Sequence, residues 1–194
     1  MIKIGITGGI GSGKTMVCKV INTMGYPVYH ADIEAKRIIN SQPEVVSKVK
    51  QLFGENIYTQ NGINRKELAA VVFNNADLLQ KLNKIVHPAV AADFDQWAED
   101  HQAHSLLFKE AAILFESGAY KKVDRVVAVW APENLRIKRV SERDGVSPEQ
   151  VKERMKNQLN QEELLERSDF VIKNNQQELL IPQVVKLIKH LQEL

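Results

Sequence analysis

A glycine-rich loop near the start of the chain most strongly limits the folds that this sequence can adopt. Four of its ten glycines lie between positions 8 and 13, and the run GGIGSGKT at positions 8–15 fits the pattern GxxxxGK followed by Ser or Thr. Residues 2–7 before it are typical of a short β-strand, and the apolar residues after it recur at the helical period. A hairpin turn would not continue into a helix, so this order indicates a phosphate-binding loop.

In such a loop the main-chain N–H groups and the helix N-terminus surround an anionic phosphate. Lys14 is expected to neutralise the β- and γ-phosphates of a nucleoside triphosphate and to assist catalysis, and the Thr15 hydroxyl is expected to coordinate Mg²⁺. The predicted nucleotide-binding residues of the loop are Gly9, Ile10, Gly11, Ser12, Gly13, Lys14, Thr15 and Met16.

The rest of the chain alternates between strand-like and helical patterns. Further strands are predicted over residues 26–30, 106–111, 123–130 and 170–172, the middle two as central strands because they are almost continuously apolar. Five strands with helices between them predict a doubly wound parallel α/β sheet within one domain spanning residues 1–194. Residues 33–103 are helical in pattern, too long for one crossover connection, and predict an inserted helical subdomain. Residues 136–160 predict a helical lid, whose second helix begins with a capping box at Ser147.

Composition excludes several classes of function. Lys and Arg number 26 against 24 Asp and Glu, a balance too even for a dedicated nucleic-acid binder. No apolar run approaches the roughly 20 residues of a membrane span, and no targeting segment is visible. The single cysteine, Cys18, excludes an internal disulfide and a multi-cysteine zinc site. We therefore expect a cytoplasmic protein, monomeric or a small homo-oligomer, that binds neither nucleic acid nor membrane.

Two carboxylates lie at the carboxyl ends of predicted strands, where parallel sheets place functional residues: Asp32 just beyond one strand and Glu110 at the end of another. Asp32 is suited to orient an acceptor hydroxyl and accept its proton, although it could equally cap the helix that follows. Glu110 is suited to hold Mg²⁺, directly or through water, although a strand-end acid can simply face solvent.

Three arginines of the predicted lid, Arg136, Arg139 and Arg143, recur on one face of a helix. On that face they could close on a triphosphate and stabilise the charge that develops during transfer. A solvated face held by salt bridges is the alternative.

A phosphate-binding loop indicates a nucleotide but not the reaction. A GTPase is disfavoured, because the guanine-binding pattern NKxD is absent and no Asp is followed three residues later by Gly. A kinase of some small molecule or nucleoside, and a non-catalytic nucleotide-binding module, both stay open. RNA binding is disfavoured, since the basic residues are interleaved with acids and have no aromatic platform beside them.

An ordered series of further segments resembles the dephospho-CoA kinase family of P-loop kinases over nearly the whole chain. The matching segments are TGGIGSGK at 7–14, HAD at 30–32, FG at 53–54, NR at 64–65, VHP at 86–88, ILFE at 113–116, RD at 143–144 and SDFVIKN at 168–174. The resemblance implies the P-loop kinase fold and transfer of the ATP γ-phosphate, with Mg²⁺, to the ribose 3′-hydroxyl of dephospho-CoA, the last step of coenzyme A synthesis.

The resemblance also implies residue roles. Asp32 becomes the catalytic base, and the helical subdomain becomes the binding region for dephospho-CoA. Its implied substrate contacts are Asp32, Lys36, Arg65 and His87. Arg139 and Arg143 belong to the lid over ATP, and Asn174 lies near the adenine. For His87 a structural role stays open, in which Pro88 begins a helix.

Ala111-Ala112 replaces the apolar-Pro step that usually precedes the segment at 113–116, and three single positions also depart from the family pattern. His30 replaces an Asp, Met16 replaces a Ser or Thr, and Lys36 stands where Arg is frequent. We expect His30 to remove a negative charge near the metal, and Met16 to weaken nucleotide binding slightly. Lys36 keeps a charge but not the bidentate fork of an arginine.

Overall fold

Seven strands form one parallel sheet and one small hairpin. In the computed structural model, which describes residues 1–73 and 75–194, they are β1 (Ile2–Thr7), β2 (Val28–His30), β3 (Tyr58–Thr59), β4 (Gly62–Ile63), β5 (Leu106–Glu110), β6 (Arg125–Trp130) and β7 (Phe170–Lys173). Five of them form the sheet in the order β2-β5-β1-β6-β7, and all four strand pairs are parallel. This confirms the predicted five-stranded doubly wound sheet.

The strand that leads into the glycine loop lies at the centre of the sheet. β1 pairs with β5 on one side and with β6 on the other, and both neighbours are interior strands, as predicted. Every residue of β5 is buried, as expected for a strand covered on both faces. Ile6 pairs with Glu110, and Glu110 pairs with His30, so the carboxyl ends of three strands meet in one row.

The helices are α1 (Lys14–Thr23), α2 (Ala31–Ser41), α3 (Pro43–Phe53), α4 (Arg65–Phe73), α5 (Ala76–Asp100), α6 (Glu133–Asp144), α7 (Pro148–Lys156), α8 (Gln161–Glu166) and α9 (Leu180–Gln192). Short 3₁₀ turns occupy Glu55–Ile57 and Ala119–Lys122. One face of the sheet packs against α1 and α9 in a core that includes Ile4, Val17, Cys18 and Leu191. On the other face, Gly5 lies so close to Leu114 that a Cβ there would meet its Cδ2 at 2.6 Å.

The chain divides into two compact units. The first comprises residues 1–30 and 98–194 and contains the parallel sheet. The second comprises residues 31–97 and has its own buried residues, among them Ile38, Val49 and Ile63. Within it, the Asn40 carboxamide oxygen accepts a hydrogen bond of 2.8 Å from the N–H of Ile63, which holds the hairpin to α2. The substrate-binding role of this unit stays a prediction, as does the lid role of residues 136–160.

The structure differs in detail from one local expectation and from two of the alternatives left open. The helical pattern of residues 33–103 is interrupted by the β3–β4 hairpin, whose turn ends at Gly62 with a φ of 97°. Pro88 does not begin a helix, because it lies inside α5, which is 25 residues long. Asp32 does not precede α2 as an N-cap would, since it is the second residue of the helix. The predicted capping box at Ser147 is confirmed, with both of its hydrogen bonds to Gln150 present.

In the part of the chain that the structure describes, no helix is both long enough and apolar enough to cross a membrane.

Candidate phosphate-binding site

The glycine loop turns directly from the central strand into the first helix. Gly13 precedes α1 in the left-handed conformation, with a φ of 96°, and has no side chain with which to cap the helix. The first turn of α1 has no acidic residue, and its second and third residues, Thr15 and Met16, are exposed. An uncapped helix start without a local carboxylate favours binding of an anion.

The Lys14 side chain folds back along the loop. Its Nζ donates a hydrogen bond of 2.7 Å to the carbonyl oxygen of Gly8, and the residue is only 9% exposed. The ammonium group therefore lies at the Gly8 end of the loop, and the backbone itself holds it there.

Two predicted residues contact the outer edge of the loop. Asn174, which follows β7, donates from its side-chain nitrogen to the carbonyl oxygen of Ser12 at 2.8 Å. Arg139 of α6 donates to the carbonyl oxygens of Gly11 at 3.4 Å and of Asn174 at 3.1 Å. These contacts hold loop carbonyls from outside. The Ser12 hydroxyl is buried and has no hydrogen-bond partner within residues 1–73 and 75–194.

A further contact was not predicted. The Ile10 N–H donates to Oε1 of Gln158 at 2.7 Å, and the same side chain donates through Nε2 to the carbonyl oxygen of Ala112 at 3.3 Å. Gln158 follows α7 and is 148 positions from Ile10. No local sequence signal could have predicted this pairing, because it depends on the placement of the segment after α7.

The three arginines of the lid face have different surroundings. Arg136 is 7% exposed, and its guanidinium lies against the loop at Gly9. Arg143 is turned away into ion pairs with Asp144, which also binds Arg154 and so links α6 to α7. Burial lowers the pKa of Arg136 and of Arg139, which indicates that negative charge near them does not fully offset the loss of water.

The carboxyl ends of β2 and β5 place an acid and an imidazole together. His30 Nδ1 donates to Oε2 of Glu110 at 3.0 Å, and Glu110 is largely buried. Cys18 of α1 is close enough to feel both Glu110 and Lys14. Burial foremost, and then the Glu110 charge, raise the pKa of the Cys18 thiol, while Lys14 acts in the opposite direction. The histidine that replaces an Asp of the family pattern at position 30 therefore provides Glu110 with a hydrogen-bonding partner.

Oxygen donors suited to Mg²⁺ are present at two of the predicted positions. Mg²⁺ prefers oxygen ligands and usually keeps several waters beside one or two carboxylates and substrate phosphates. The exposed Thr15 hydroxyl and the Glu110 carboxylate fit that chemistry. Within the described residues, no group of three or more His, Cys, Asp or Glu is arranged to hold a metal.

Four predicted substrate residues belong to the second unit. Asp32 and Lys36 are both exposed and lie one turn apart on α2, and Arg65 is the exposed first residue of α4. His87 lies within α5, where burial lowers its pKa below 6.5 and favours the neutral imidazole. Their roles stay predictions.

Arg37, which follows Lys36, is held inside the second unit. Its guanidinium forms ion pairs with Glu34 and with Asp93 of α5, and the hydrogen bonds to both raise its pKa. These pairs join α2 to α5, so Arg37 is already engaged and is a poor substitute for an arginine at position 36.

Comparison with known proteins identifies the family of this chain. A family model described as dephospho-CoA kinase matches residues 2–179. A dephospho-CoA kinase from Bacteroides fragilis is 40% identical over 190 residues, which is 98% of this chain and 93% of the relative. A crystal structure of a Thermus thermophilus protein superposes with a TM-score of 0.83 at 31% identity, over 97% of this chain and 96% of that one. The dephospho-CoA kinase from Campylobacter jejuni superposes with a TM-score of 0.72 at 29% identity, over 98% and 97% of the two chains. The family model over residues 2–179 and the 40% identity to the Bacteroides fragilis relative show that the chain belongs to the dephospho-CoA kinase family.

Proposed function

We propose that the protein transfers the γ-phosphoryl group of ATP to the ribose 3′-hydroxyl of dephospho-CoA, giving coenzyme A and ADP. The observation that carries this proposal is the glycine loop, with the Lys14 ammonium held at Gly8 and the uncapped start of α1 beside it. Membership of the dephospho-CoA kinase family over residues 2–179 supports the choice of acceptor.

On this proposal the loop binds the triphosphate through its amides, from Gly9 to Met16. Lys14 neutralises the phosphates, exchanging its bond to the Gly8 carbonyl for phosphate oxygens. Arg139 and Asn174 support the loop from its outer edge. Arg143 would reach ATP by exchanging Asp144 for a phosphate, as part of a lid formed by residues 136–160.

The Mg²⁺ that such a reaction uses would be held by Thr15, and by Glu110 directly or through water. When bound, this ion neutralises charge on the phosphate oxygens. His30 keeps the Glu110 carboxylate oriented at the end of β5.

Asp32 is proposed as the catalytic base, which orients the ribose hydroxyl and accepts its proton. It follows β2 by two residues, so the chain leaves the carboxyl edge of the sheet at this carboxylate. The acceptor would bind residues 31–97, where Lys36 and Arg65 offer positive charge to its phosphates and His87 a neutral imidazole.

The test is an assay of the purified protein with ATP, Mg²⁺ and dephospho-CoA, in which coenzyme A is detected by mass and ADP by a coupled reaction. We expect the two products in equal amounts. Adenosine, AMP and shikimate in place of dephospho-CoA should release no ADP above the background without acceptor. Faster ADP release with one of these acceptors would contradict the proposal.

The variant Asp32→Asn tests the role of the base. We expect nearly normal ATP binding and a turnover reduced by about 10² to 10⁴, the range of general base catalysis. Asp77→Asn is the matched control, because Asp77 is also exposed and is also the second residue of a helix that begins with alanine. A wild-type turnover number for Asp32→Asn would remove Asp32 from the mechanism.

A further inference from the structure

Arg136 is a buried cation that forms no ion pair with any of the residues that the structure describes. Its residue is 7% exposed, and its Nε has no hydrogen-bond partner within the described ranges 1–73 and 75–194. Glu133, one turn earlier on α6, acts on it electrostatically but forms no ion pair with it there. Burial of such a guanidinium removes hydration without supplying a hydrogen-bond acceptor to its Nε. The free-energy cost of this desolvation would be offset by a bound anion.

The other arginines on the same face of α6 are already engaged. Arg139 donates to loop carbonyls and to Asn174, and Arg143 is paired with Asp144. Within the described residues, Arg136 is therefore the arginine of this face that can bind a ligand without first giving up an ion pair or a hydrogen bond.

The position of the Arg136 guanidinium in the loop identifies the ligand group. A Cβ built on Gly9 would lie 2.1 Å from Nη1 of Arg136, so a larger residue at this position would displace the guanidinium. The neighbouring residue, Gly8, accepts the hydrogen bond from the Lys14 ammonium. Both cations thus lie at the β1 end of the loop, whereas the amides that start α1 lie at the other end.

Two cations at the Gly8–Gly9 end fit the phosphates at the far end of a triphosphate. The lysine of such a loop reaches the β- and γ-phosphates, while the loop amides bind those nearer the nucleoside. The planar fork of an arginine matches two phosphate oxygens at once. An oxygen of the terminal phosphate would accept a hydrogen bond from Arg136 Nε, which has no partner within the described residues, and its negative charge would offset that of the guanidinium.

We propose that Arg136 binds the γ-phosphate of ATP and so makes the site prefer ATP to ADP. This inference rests on the proposed binding of ATP by the glycine loop. It assigns to Arg136 a binding contact that is separate from the loop-supporting contacts of Arg139.

The test measures binding of AMP-PNP and of ADP, each with Mg²⁺, by isothermal titration calorimetry. The variants are Arg136→Gln, which removes the charge, and Arg136→Lys, which keeps the charge without the fork. Lys138→Gln serves as the charge-matched control, because Lys138 is on the same helix but 70% exposed and near Glu142. Lys14→Ala is measured in parallel.

We expect Arg136→Gln to weaken AMP-PNP binding about tenfold to a hundredfold and ADP binding less than about twofold, as for loss of charged hydrogen bonds to one phosphate. Arg136→Lys should fall between the wild type and Arg136→Gln. Without nucleotide, Arg136→Gln should melt no lower than the wild type, because it removes a buried charge.

Equal weakening of AMP-PNP and ADP, or no change in either, would overturn the role of Arg136. A lower melting temperature without nucleotide, with unchanged preference for AMP-PNP, would identify a structural role instead and would also overturn it. If the wild type binds neither nucleotide, or if Lys14→Ala binds both normally, the proposed ATP site itself fails. Normal ADP binding by Arg136→Gln would show that the nucleotide site is intact, so failure of the Arg136 proposal can be distinguished from failure of the proposed ATP site.

Discussion

Replacing Gly13 with alanine is expected to destabilise the protein through two separate effects. The φ of 96° lies in the left-handed region, which costs about 1–2 kcal/mol for a residue with a Cβ. The new Cβ would also lie 2.0 Å from the side-chain nitrogen of Asn174, so Asn174 must give up its hydrogen bond to Ser12. Loss of that bond costs about 1 kcal/mol more.

Together these effects predict that Gly13→Ala lowers the free energy of unfolding by about 2–3 kcal/mol. For a chain of this length, that corresponds to a decrease in melting temperature of about 4–12 °C. Gly25→Ala is the matched control, because Gly25 has a φ of 87° and no atom within 4 Å of a built Cβ. It should carry the backbone cost alone, about 2–8 °C.

Thermal unfolding followed by circular dichroism measures both variants, alone and combined with Asn174→Ala. In the Asn174→Ala background the contact is absent, so Gly13→Ala should cost no more than Gly25→Ala does. Equal shifts for Gly13→Ala and Gly25→Ala in the wild-type background would refute the reasoning, because the Asn174 contact would then contribute nothing.

Two pH dependences follow from the structure. The hydrogen bond from Arg143 is the main cause that lowers the pKa of Asp144 below 3.8, and Arg154 acts in the same direction. The ionised Asp144 side chain therefore stabilises the folded protein above pH 3.8, and this stabilisation is lost as the pH falls through the lower pKa of the folded state. The difference in melting temperature between the wild type and Asp144→Asn should therefore shrink in acid. Glu142 is an exposed acid near Lys138, so Glu142→Gln should show a smaller difference from the wild type at neutral pH. A difference for Asp144→Asn that does not depend on pH would contradict this. Burial lowers the pKa of His87 below 6.5, so the unfolded chain binds a proton more readily there, and stability should decrease as the pH falls below 6.5. His87→Gln should remove part of that decrease in melting scans, whereas exposed His104→Gln should not; equal effects of the two variants would exclude His87 as the source.

The parts of the fold that depend on neighbouring residues could be predicted from the sequence. Residues 2–7 are apolar and β-branched, the glycines follow, and the helical stripe begins at Lys14, so β1, the loop and α1 lie where expected. The capping box at Ser147 is equally local. The β3–β4 hairpin had a usable signal in Asn61-Gly62, a dipeptide typical of tight turns, but helical patterns on both sides outweighed it.

The parts of the site that depend on distant contacts could not be predicted in this way. A basic face on α6 was visible, but the sequence does not distinguish Arg136, buried at Gly9, from Arg143, paired with Asp144. That difference depends on how α6 packs against the glycine loop, which lies more than a hundred positions earlier in the sequence. Pro88 shows the opposite case, since a local helix-breaking signal is overridden by the rest of a long helix.

The surroundings of Cys18 determine how readily its thiol reacts with oxidants. The only sulfhydryl of the chain is 1% exposed, one turn beyond Lys14, and its environment suppresses the thiolate that peroxides and alkylating reagents attack. Because Cys18 is buried between α1 and the sheet, we expect such reagents to reach it when α1 separates from the sheet, a movement that would also disrupt the loop. Oxidative inactivation at this position would therefore be a consequence of unfolding rather than its cause.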